Sequence, residues 1–179
     1  DNAAHGLQVA VSYAQTNAGI DTVLVTNGTY NVTAQMLVTN TVTIRSVNGA
    51  TQTTVRATGV GYRLFNVKAA DTLIAGFTLS GAYQNSDGDY NYGGGAVGTT
   101  QRSCMVSNCV ITGNFILHYG AAVNGGTVVS CIITNNTATR AGGGLYDSGA
   151  RNCLIAYNTG GGDNGGGGMK YGTADNCTI

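Results

Sequence analysis

Three segments of this chain match one another at a fixed spacing. They read Asn-Cys-Val-Ile-Thr-Gly-Asn at 108–114, Ser-Cys-Ile-Ile-Thr-Asn-Asn at 130–136 and Asn-Cys-Leu-Ile-Ala-Tyr-Asn at 152–158, and a fourth copy begins at Asn176. A fixed period in the low twenties indicates one short supersecondary unit that stacks on copies of itself. We therefore expect a repeat fold, because stacked units bury the faces that a single unit would expose.

The sequence between the matched segments favours strands over helices. A cluster of glycine or alanine residues precedes each cysteine segment and is followed by a short β-like pair. The pairs are Ala96-Val97, Val123-Asn124, Leu145-Tyr146 and Met169-Lys170. Strands this short, returning once in every repeat, leave no room for the helix of a βαβ crossover. The pattern predicts an all-β, single-stranded parallel β-helix whose equivalent strands pair from coil to coil.

The first part of the chain is less regular. Leu7, Val11 and Ala14 stand at helical spacing within residues 6–16, which predicts one short amphipathic helix. A β-rich run at 21–30 is ended by the turn pair Asn27-Gly28, and further short β-branched runs predict strands at 36–38, 42–45, 53–56, 63–67 and 73–79. We expect one domain at 1–179, made of a helical segment at 1–20, irregular coils at 21–92 and regular coils at 93–179. Each regular coil is expected to hold about 22–24 residues, a period typical of solenoids.

The cysteines Cys109, Cys131, Cys153 and Cys177 recur at one place in the repeat. They are predicted to form a column of small buried side chains. A disulfide between adjacent coils is an alternative, because neighbouring strands lie about 4.8 Å apart, within the range that a disulfide tolerates. A zinc site is a weaker alternative, because no Cys-x-x-Cys pair accompanies the column. Cys104 lies outside this register and is expected to be an exposed free thiol.

Asn114, Asn136 and Asn158 each follow one of these cysteines at the same distance along the chain. We expect them at the bend of each coil, because asparagine tolerates a left-handed backbone. Stacked amides also hydrogen-bond from one strand to the next. The asparagine column is therefore expected to turn each coil and to tie it to its neighbour.

The composition argues against highly charged partners. Charged residues make up only 9% of the chain, eight basic residues balance eight acidic ones, and there is no Glu. Such a surface has no net field to attract nucleic acid or an anionic membrane, and no apolar run is long enough for membrane insertion. The chain begins at Asp1, which favours a trimmed or mature product, and we expect an extracellular or cell-surface location.

Several segments resemble the pectin-lyase-like superfamily of right-handed parallel β-helices. They are Gly6-Leu-Gln-Val-Ala-Val-Ser-Tyr-Ala, Asp21-Thr-Val-Leu-Val, Asn27-Gly-Thr-Tyr and the Asn-Cys-x-Ile repeats, which are also similar to bacterial secreted and surface β-helix proteins. The resemblance covers nearly the whole chain, and it implies right-handed coils with the helix at 6–16 as an N-terminal cap. It implies little about activity, because this fold carries lyases, hydrolases, adhesins and inert stalks.

The residues for polysaccharide cleavage are poorly represented. The resemblance implies that a lyase of this fold needs clustered carboxylates for calcium and an Arg or Lys base. This chain instead has eight scattered Asp residues. Asp87 and Asp89 form the one close acidic pair and are a weak calcium candidate, with an ordinary polar turn as the alternative. We assign no catalytic residue, no metal and no cofactor.

A polar column is predicted two residues before each glycine cluster. Its members are Asn91, His118, Arg140 and Asp163. Stacking of the coils would bring them to one edge, where Tyr92 and Tyr119 flank them. Aromatic faces beside hydrogen-bonding groups are suited to a carbohydrate. The alternative is a solvated edge in which the charges of Arg140 and Asp163 compensate each other.

The chain stops at Ile179, in the middle of the fourth cysteine segment. A stacked sheet that stops in this way has an open edge, so either the protein continues or the edge pairs with another subunit. We expect a non-enzymatic extracellular structural or adhesive β-helix, with self-association through this edge into a surface fibre as one outcome. A carbohydrate-binding or polysaccharide-degrading domain is the alternative.

Overall fold

A computed structural model of the chain describes residues 2–16, 19–85, 93–162 and 165–179. The elements, in chain order, are α1 (Asn2–Tyr13), β1 (Asp21–Val25), β2 (Gly28–Val32), β3 (Met36–Val38), β4 (Val42–Ser46), β5 (Thr53–Ala57), β6 (Phe65–Val67), β7 (Leu73–Ala75), β8 (Thr78–Ser80), β9 (Tyr83–Gln84), β10 (Val97–Thr99), β11 (Met105–Ser107), β12 (Val110–Thr112), β13 (Phe115–Ile116), β14 (Val123–Asn124), β15 (Thr127–Val129), β16 (Ile132–Thr134), β17 (Thr137–Ala138), β18 (Leu145–Arg151), β19 (Leu154–Ala156), β20 (Thr159–Gly160) and β21 (Met169–Asp175).

The single helix of the described residues, α1, packs on β1, β2 and β3. Its inner face carries Leu7, Val11 and Ala14, all buried, so the amphipathic spacing is confirmed. The sequence predicted a helix that starts at residue 6, whereas the helix begins at Asn2. Beyond its end, Gln15 donates from Nε2 to the Leu37 carbonyl at 3.0 Å and ties the helix to β3. The described residues include no helix with the length and apolarity that crossing a bilayer requires.

The strands form three sheets in which the named strands pair in parallel. The largest has eleven strands in the order β1-β4-β7-β11-β15-β18-β14-β10-β6-β3, with β21 beside β18. The second runs β19-β16-β12-β8-β5-β2 and the third β20-β17-β13-β9. Ile111 pairs with Ile133, and Ile133 with Ile155, so the register follows the period of the sequence. The predicted parallel pairing of equivalent strands is confirmed.

Each repeat contributes twice to the largest sheet. Val123 of β14 pairs with Leu145, and Thr127 of β15 pairs with Gly149, so two short strands of one repeat lie beside the two halves of β18. The following strands then enter the second and third sheets. The result is all-β, with curled parallel sheets, and is compatible with a β-solenoid.

The hydrophobic core lies between the sheets and continues from repeat to repeat. Its inward residues alternate with outward ones, as period two requires. Ile111, Ile133 and Ile155 of the second sheet are buried, as are Val106 and Val128 of the largest. Burial of each such aliphatic side chain contributes about 1.5–3 kcal/mol. One connected cluster extends from Leu7 in the helix to Ile155.

A left-handed residue bends the chain between the largest and the second sheets. Asn108 (φ 50°), Ser130 (φ 53°) and Asn152 (φ 54°) occupy this bend in successive repeats. Gly76 has φ 75° at the corresponding place. The bend at Gly76 divides the predicted strand at 73–79 into β7 and β8, because a left-handed residue interrupts extended pairing.

A second bend precedes the third sheet and corrects the expectation for the asparagine column. Its left-handed residues are Gly113 (φ 65°), Asn135 (φ 56°) and Tyr157 (φ 56°), each one position before Asn114, Asn136 or Asn158. The column itself therefore does not supply the left-handed turn.

The glycine clusters mark places where backbones of neighbouring repeats approach closely. A Cβ atom on Gly143 would overlap the Gly167 carbonyl oxygen, and one on Gly144 would overlap that of Gly168. Contacts this short with backbone atoms exclude any side chain, so only glycine fits. The clusters are a packing requirement of the stack.

Cys104 is buried, so the expectation of an exposed thiol is wrong. It directly precedes β11, in which Val106 points inward and Met105 is 40% exposed. Alternation along an extended segment therefore turns Cys104 to the same side as Val106. Its carbonyl accepts from the Thr127 amide at 2.8 Å, which holds the segment against the next repeat.

Candidate functional site

The structure brings part of the predicted polar column together. Tyr119 and Arg140 lie side by side, and the Arg140 amide donates to the His118 carbonyl at 3.2 Å. His118 itself is 2% exposed, so its imidazole lies below the surface and does not belong to an exposed strip. The remaining predicted members, Asn91, Tyr92 and Asp163, lie outside the described residues, as do the calcium candidates Asp87 and Asp89.

Tyr119 and Arg140 line a cleft of about 590 Å³. The described residues around it are Tyr119, Arg140, Ala141, Tyr146, Gly162, Lys170 and Tyr171. A volume of this size is typical of small-molecule sites, which range over about 300–1,000 Å³. The cleft is thus large enough to take a ligand of several rings.

Parallel pairing places these side chains on one outer surface. Tyr146 pairs in register with Asn124 and with Lys170, while their neighbours Val123 and Leu145 point into the core. Tyr119 is joined to Ala141 by a parallel bridge. Three successive repeats therefore each contribute one tyrosine to the cleft.

The three tyrosine rings are in contact. Tyr119 and Tyr146 are stacked, with ring centroids 4.5 Å apart and an angle of 30° between the planes. Tyr171 meets Tyr146 edge to face, with centroids 5.5 Å apart and an angle of 81°. Both arrangements are favourable for aromatic pairs. The cleft is lined by a continuous aromatic surface with a corner at Tyr171.

Two cationic side chains lie against these rings. The Arg140 guanidinium carbon is 5.9 Å from the Tyr119 ring centroid, and the Lys170 ammonium is 5.1 Å from that of Tyr171. At these distances a cation is attracted to the electron-rich ring face. The rings hold the two donors at the cleft, where each can hydrogen-bond to ligand oxygens.

Tyr146 carries a hydroxyl that stays neutral. Burial raises its pKa above the ordinary value, and the neighbouring Tyr119, Tyr171 and Asp147 raise it further through charge repulsion. A neutral phenol both donates and accepts hydrogen bonds. The cleft therefore combines aromatic faces, cationic donors and a hydroxyl of mixed character.

Sequence reasoning missed Tyr146, Lys170 and Tyr171 as site residues. It did identify Leu145-Tyr146 and Met169-Lys170 as strand pairs, and the second residue of each pair lies in the outward column. Alignment of the pairs would have indicated a tyrosine and a lysine stacked on one face. The position of Tyr171 beside them depends on a bend that no local pattern predicted.

The asparagine column is a hydrogen-bonded ladder. The Asn114 Nδ2 donates to Asn136 Oδ1 at 2.9 Å, and the Asn136 Nδ2 donates to Asn158 Oδ1 at 2.9 Å. Asn114 and Asn136 are buried. Their amides also donate to the carbonyls of Thr112 and Thr134, two residues earlier across the bend. The ladder joins neighbouring repeats and closes each bend.

The cysteine column has the same arrangement at the other bend. All five cysteines of the chain are free thiols. Cys109, Cys131, Cys153 and Cys177 each donate from Sγ to the carbonyl two residues earlier, at 3.2 to 3.3 Å. The Cys109 amide in turn donates to Cys131 Sγ at 3.4 Å. The thiols act as small polar groups that close the bend.

No group of three or more His, Cys, Asp or Glu side chains in the described ranges could hold a metal ion. No family model, curated protein or solved structure matches the chain. The likeness to pectin-lyase-like proteins therefore rests on the sequence features alone.

Proposed function

We propose that this chain forms one right-handed parallel β-helix, located outside the cell or at its surface, that binds a saccharide without cleaving it. Such a domain would serve an adhesive role. The right-handed single helix, the pectin-lyase-like kinship and the location are supported by the resemblance of the sequence to secreted β-helix proteins. The parallel sheets and the low charge of the chain agree with them.

The observation that carries the proposal is the convergence of Tyr119, Tyr146 and Tyr171 with Arg140 and Lys170 in one cleft. A sugar has apolar C–H faces, which pack on aromatic rings, and hydroxyls, which accept from guanidinium and ammonium groups. Ligand sites typically combine aromatic walls with a few placed polar groups. The cleft has both kinds of group within one opening.

Binding can be tested with four hexasaccharides: the β-1,4-linked oligomers of glucose, mannose and xylose, and hexagalacturonic acid. Isothermal titration calorimetry measures the affinity, because tyrosine fluorescence would average over ten tyrosines, of which three line the cleft. We expect saturable binding of at least one hexasaccharide and a loss of at least tenfold in affinity for Tyr146→Ala. The loss follows from removal of the central ring, which contacts both other tyrosines.

Tyr83→Ala is the matched control. Tyr83 is also partly exposed and stacked, on Phe115 with centroids 4.6 Å apart, but it lies on the third sheet away from the cleft lining. Its removal should leave affinity unchanged. Absence of binding to all four hexasaccharides would refute the proposal, and release of new reducing ends would refute its non-catalytic part.

A further inference from the structure

Two tyrosines hold a backbone conformation that disfavours tyrosine. Tyr157 has φ 56° and Tyr171 has φ 50°. In the left-handed region Cβ crowds the following carbonyl, so bulky residues there are true outliers. At the bend of Tyr157 the earlier repeats have Gly113 and Asn135, which tolerate this conformation. Neither tyrosine is therefore the residue that its backbone favours.

Burial does not account for the strain at Tyr171. The residue is 63% exposed, so the fold gains little from covering its side chain. Asp147, at the same register in the preceding strand, is also left-handed with φ 48°. The left-handed bend therefore recurs at this register in two successive strands, with Asp in one and Tyr in the other. The presence of tyrosine at position 171 needs an explanation of its own.

The bend directs the Tyr171 ring toward the cleft. The ring meets Tyr146 at 81° and carries the Lys170 ammonium over its face. An extended residue at this place would continue the alternation of the strand. A left-handed residue interrupts that alternation, and here the third ring forms the corner of the aromatic surface.

We propose that Tyr171 is a specificity-determining residue of the cleft, kept in a strained conformation because its ring packs against one sugar of the bound saccharide. This inference rests on the proposed saccharide binding. Strained residues cluster at ligand sites, where the surrounding structure maintains them. The sugar contacting Tyr171 presents a C–H face to the ring and a hydroxyl to Lys170.

Three variants test this inference: Tyr171→Asn, Tyr171→Phe and Tyr157→Asn. Each is titrated with the four hexasaccharides and unfolded in urea. Asparagine tolerates the left-handed conformation, so Tyr157→Asn should raise the unfolding midpoint and leave affinity unchanged. Tyr171→Asn should keep or raise the midpoint and weaken the tightest hexasaccharide at least tenfold, with a smaller loss for the other three, because specificity is a difference between affinities. Tyr171→Phe retains the ring and should bind within threefold of the unmodified chain.

Each contrary outcome has a distinct meaning. Unchanged affinity in Tyr171→Asn would overturn the inference while leaving saccharide binding intact. A midpoint lowered by Tyr171→Asn but raised by Tyr157→Asn would also overturn it, because Tyr171 would then stabilise the fold. If the unmodified chain bound none of the four hexasaccharides, the proposed function and this inference would fail together.

Discussion

Asn136 uses all of its hydrogen-bonding capacity inside the stack. Its two Nδ2 hydrogens are shared among Ile111 O, Thr134 O and Asn158 Oδ1, and its Oδ1 accepts from the backbone and side chain of Asn114. Water cannot reach these buried partners. Loss of the Asn136 amide would therefore leave their hydrogen bonds unmade, which costs stability. The repeats are therefore joined by specific polar contacts as well as by apolar burial.

Replacement of Asn136 by Leu should lower the free energy of unfolding by about 2–4 kcal/mol, because it leaves buried polar partners unsatisfied. Urea unfolding measures the change. Asn135→Gly is the matched control: Asn135 is exposed and left-handed, so glycine should be tolerated there. Equal effects of the two substitutions would contradict the role assigned to the ladder.

Because of Cys104, the free energy of unfolding is expected to depend on pH in the alkaline range. Burial raises the pKa of its thiol to about 12, partly offset by a hydrogen bond with Thr99. An unfolded thiol ionises near about pH 8.5. Between these values the unfolded chain loses a proton that the folded chain keeps, so stability present below about pH 8.5 falls as pH rises toward 12.

In that pH window, this thiol is expected to lower the free energy of unfolding by up to about 1.4 kcal/mol per pH unit. Urea unfolding at pH 8 and pH 10.5 should show a smaller fall for Cys104→Ala than for the unmodified chain, because the variant lacks the buried thiol. Equal falls in the two proteins would contradict the assignment.

At the scale of elements, the helix α1 and the bends show how short elements depend on their neighbours. Strands of two or three residues have little stability alone, and each gains it from parallel partners on its sides. The helix buries one face against β1 to β3 and exposes the other. Two valines of the same helix therefore differ only in which face they occupy.

Val11 is 1% exposed and Val9 is 51% exposed. Val11→Ala should lower the free energy of unfolding by about 1–3 kcal/mol through lost burial and a residual cavity. Val9→Ala should change it by less than about 0.5 kcal/mol, as exposed substitutions usually do. Thermal or urea unfolding of the pair measures the difference. Similar losses would mean that the helix does not pack on the sheet ends in solution.

At the scale of the whole molecule, each repeat contacts mainly the repeats beside it, as in other stacked folds. The cleft is a consequence of this arrangement. Tyr119, Tyr146 and Tyr171 belong to different repeats and are distant in sequence, yet their rings touch because successive repeats lie one strand spacing apart. Integrity of the site requires three consecutive repeats, so its proposed binding depends on the stack as well as on the five side chains.

The sequence by itself determined the repeat, its strand character, the parallel register and the buried positions of Cys109, Cys131, Cys153 and the repeat isoleucines, whereas Cys177, also predicted to be buried, is only partly buried. These features follow from periodicity and alternation, which act locally and recur in each copy. It also indicated an aromatic and cationic edge through Tyr119 and Arg140. The tertiary structure decided the rest: the burial of Cys104 and His118, the residue that bends before each asparagine, and the union of Tyr146, Lys170 and Tyr171 in one cleft. Those outcomes depend on how neighbouring repeats stack and on where left-handed residues turn the chain, and no single repeat contains that information.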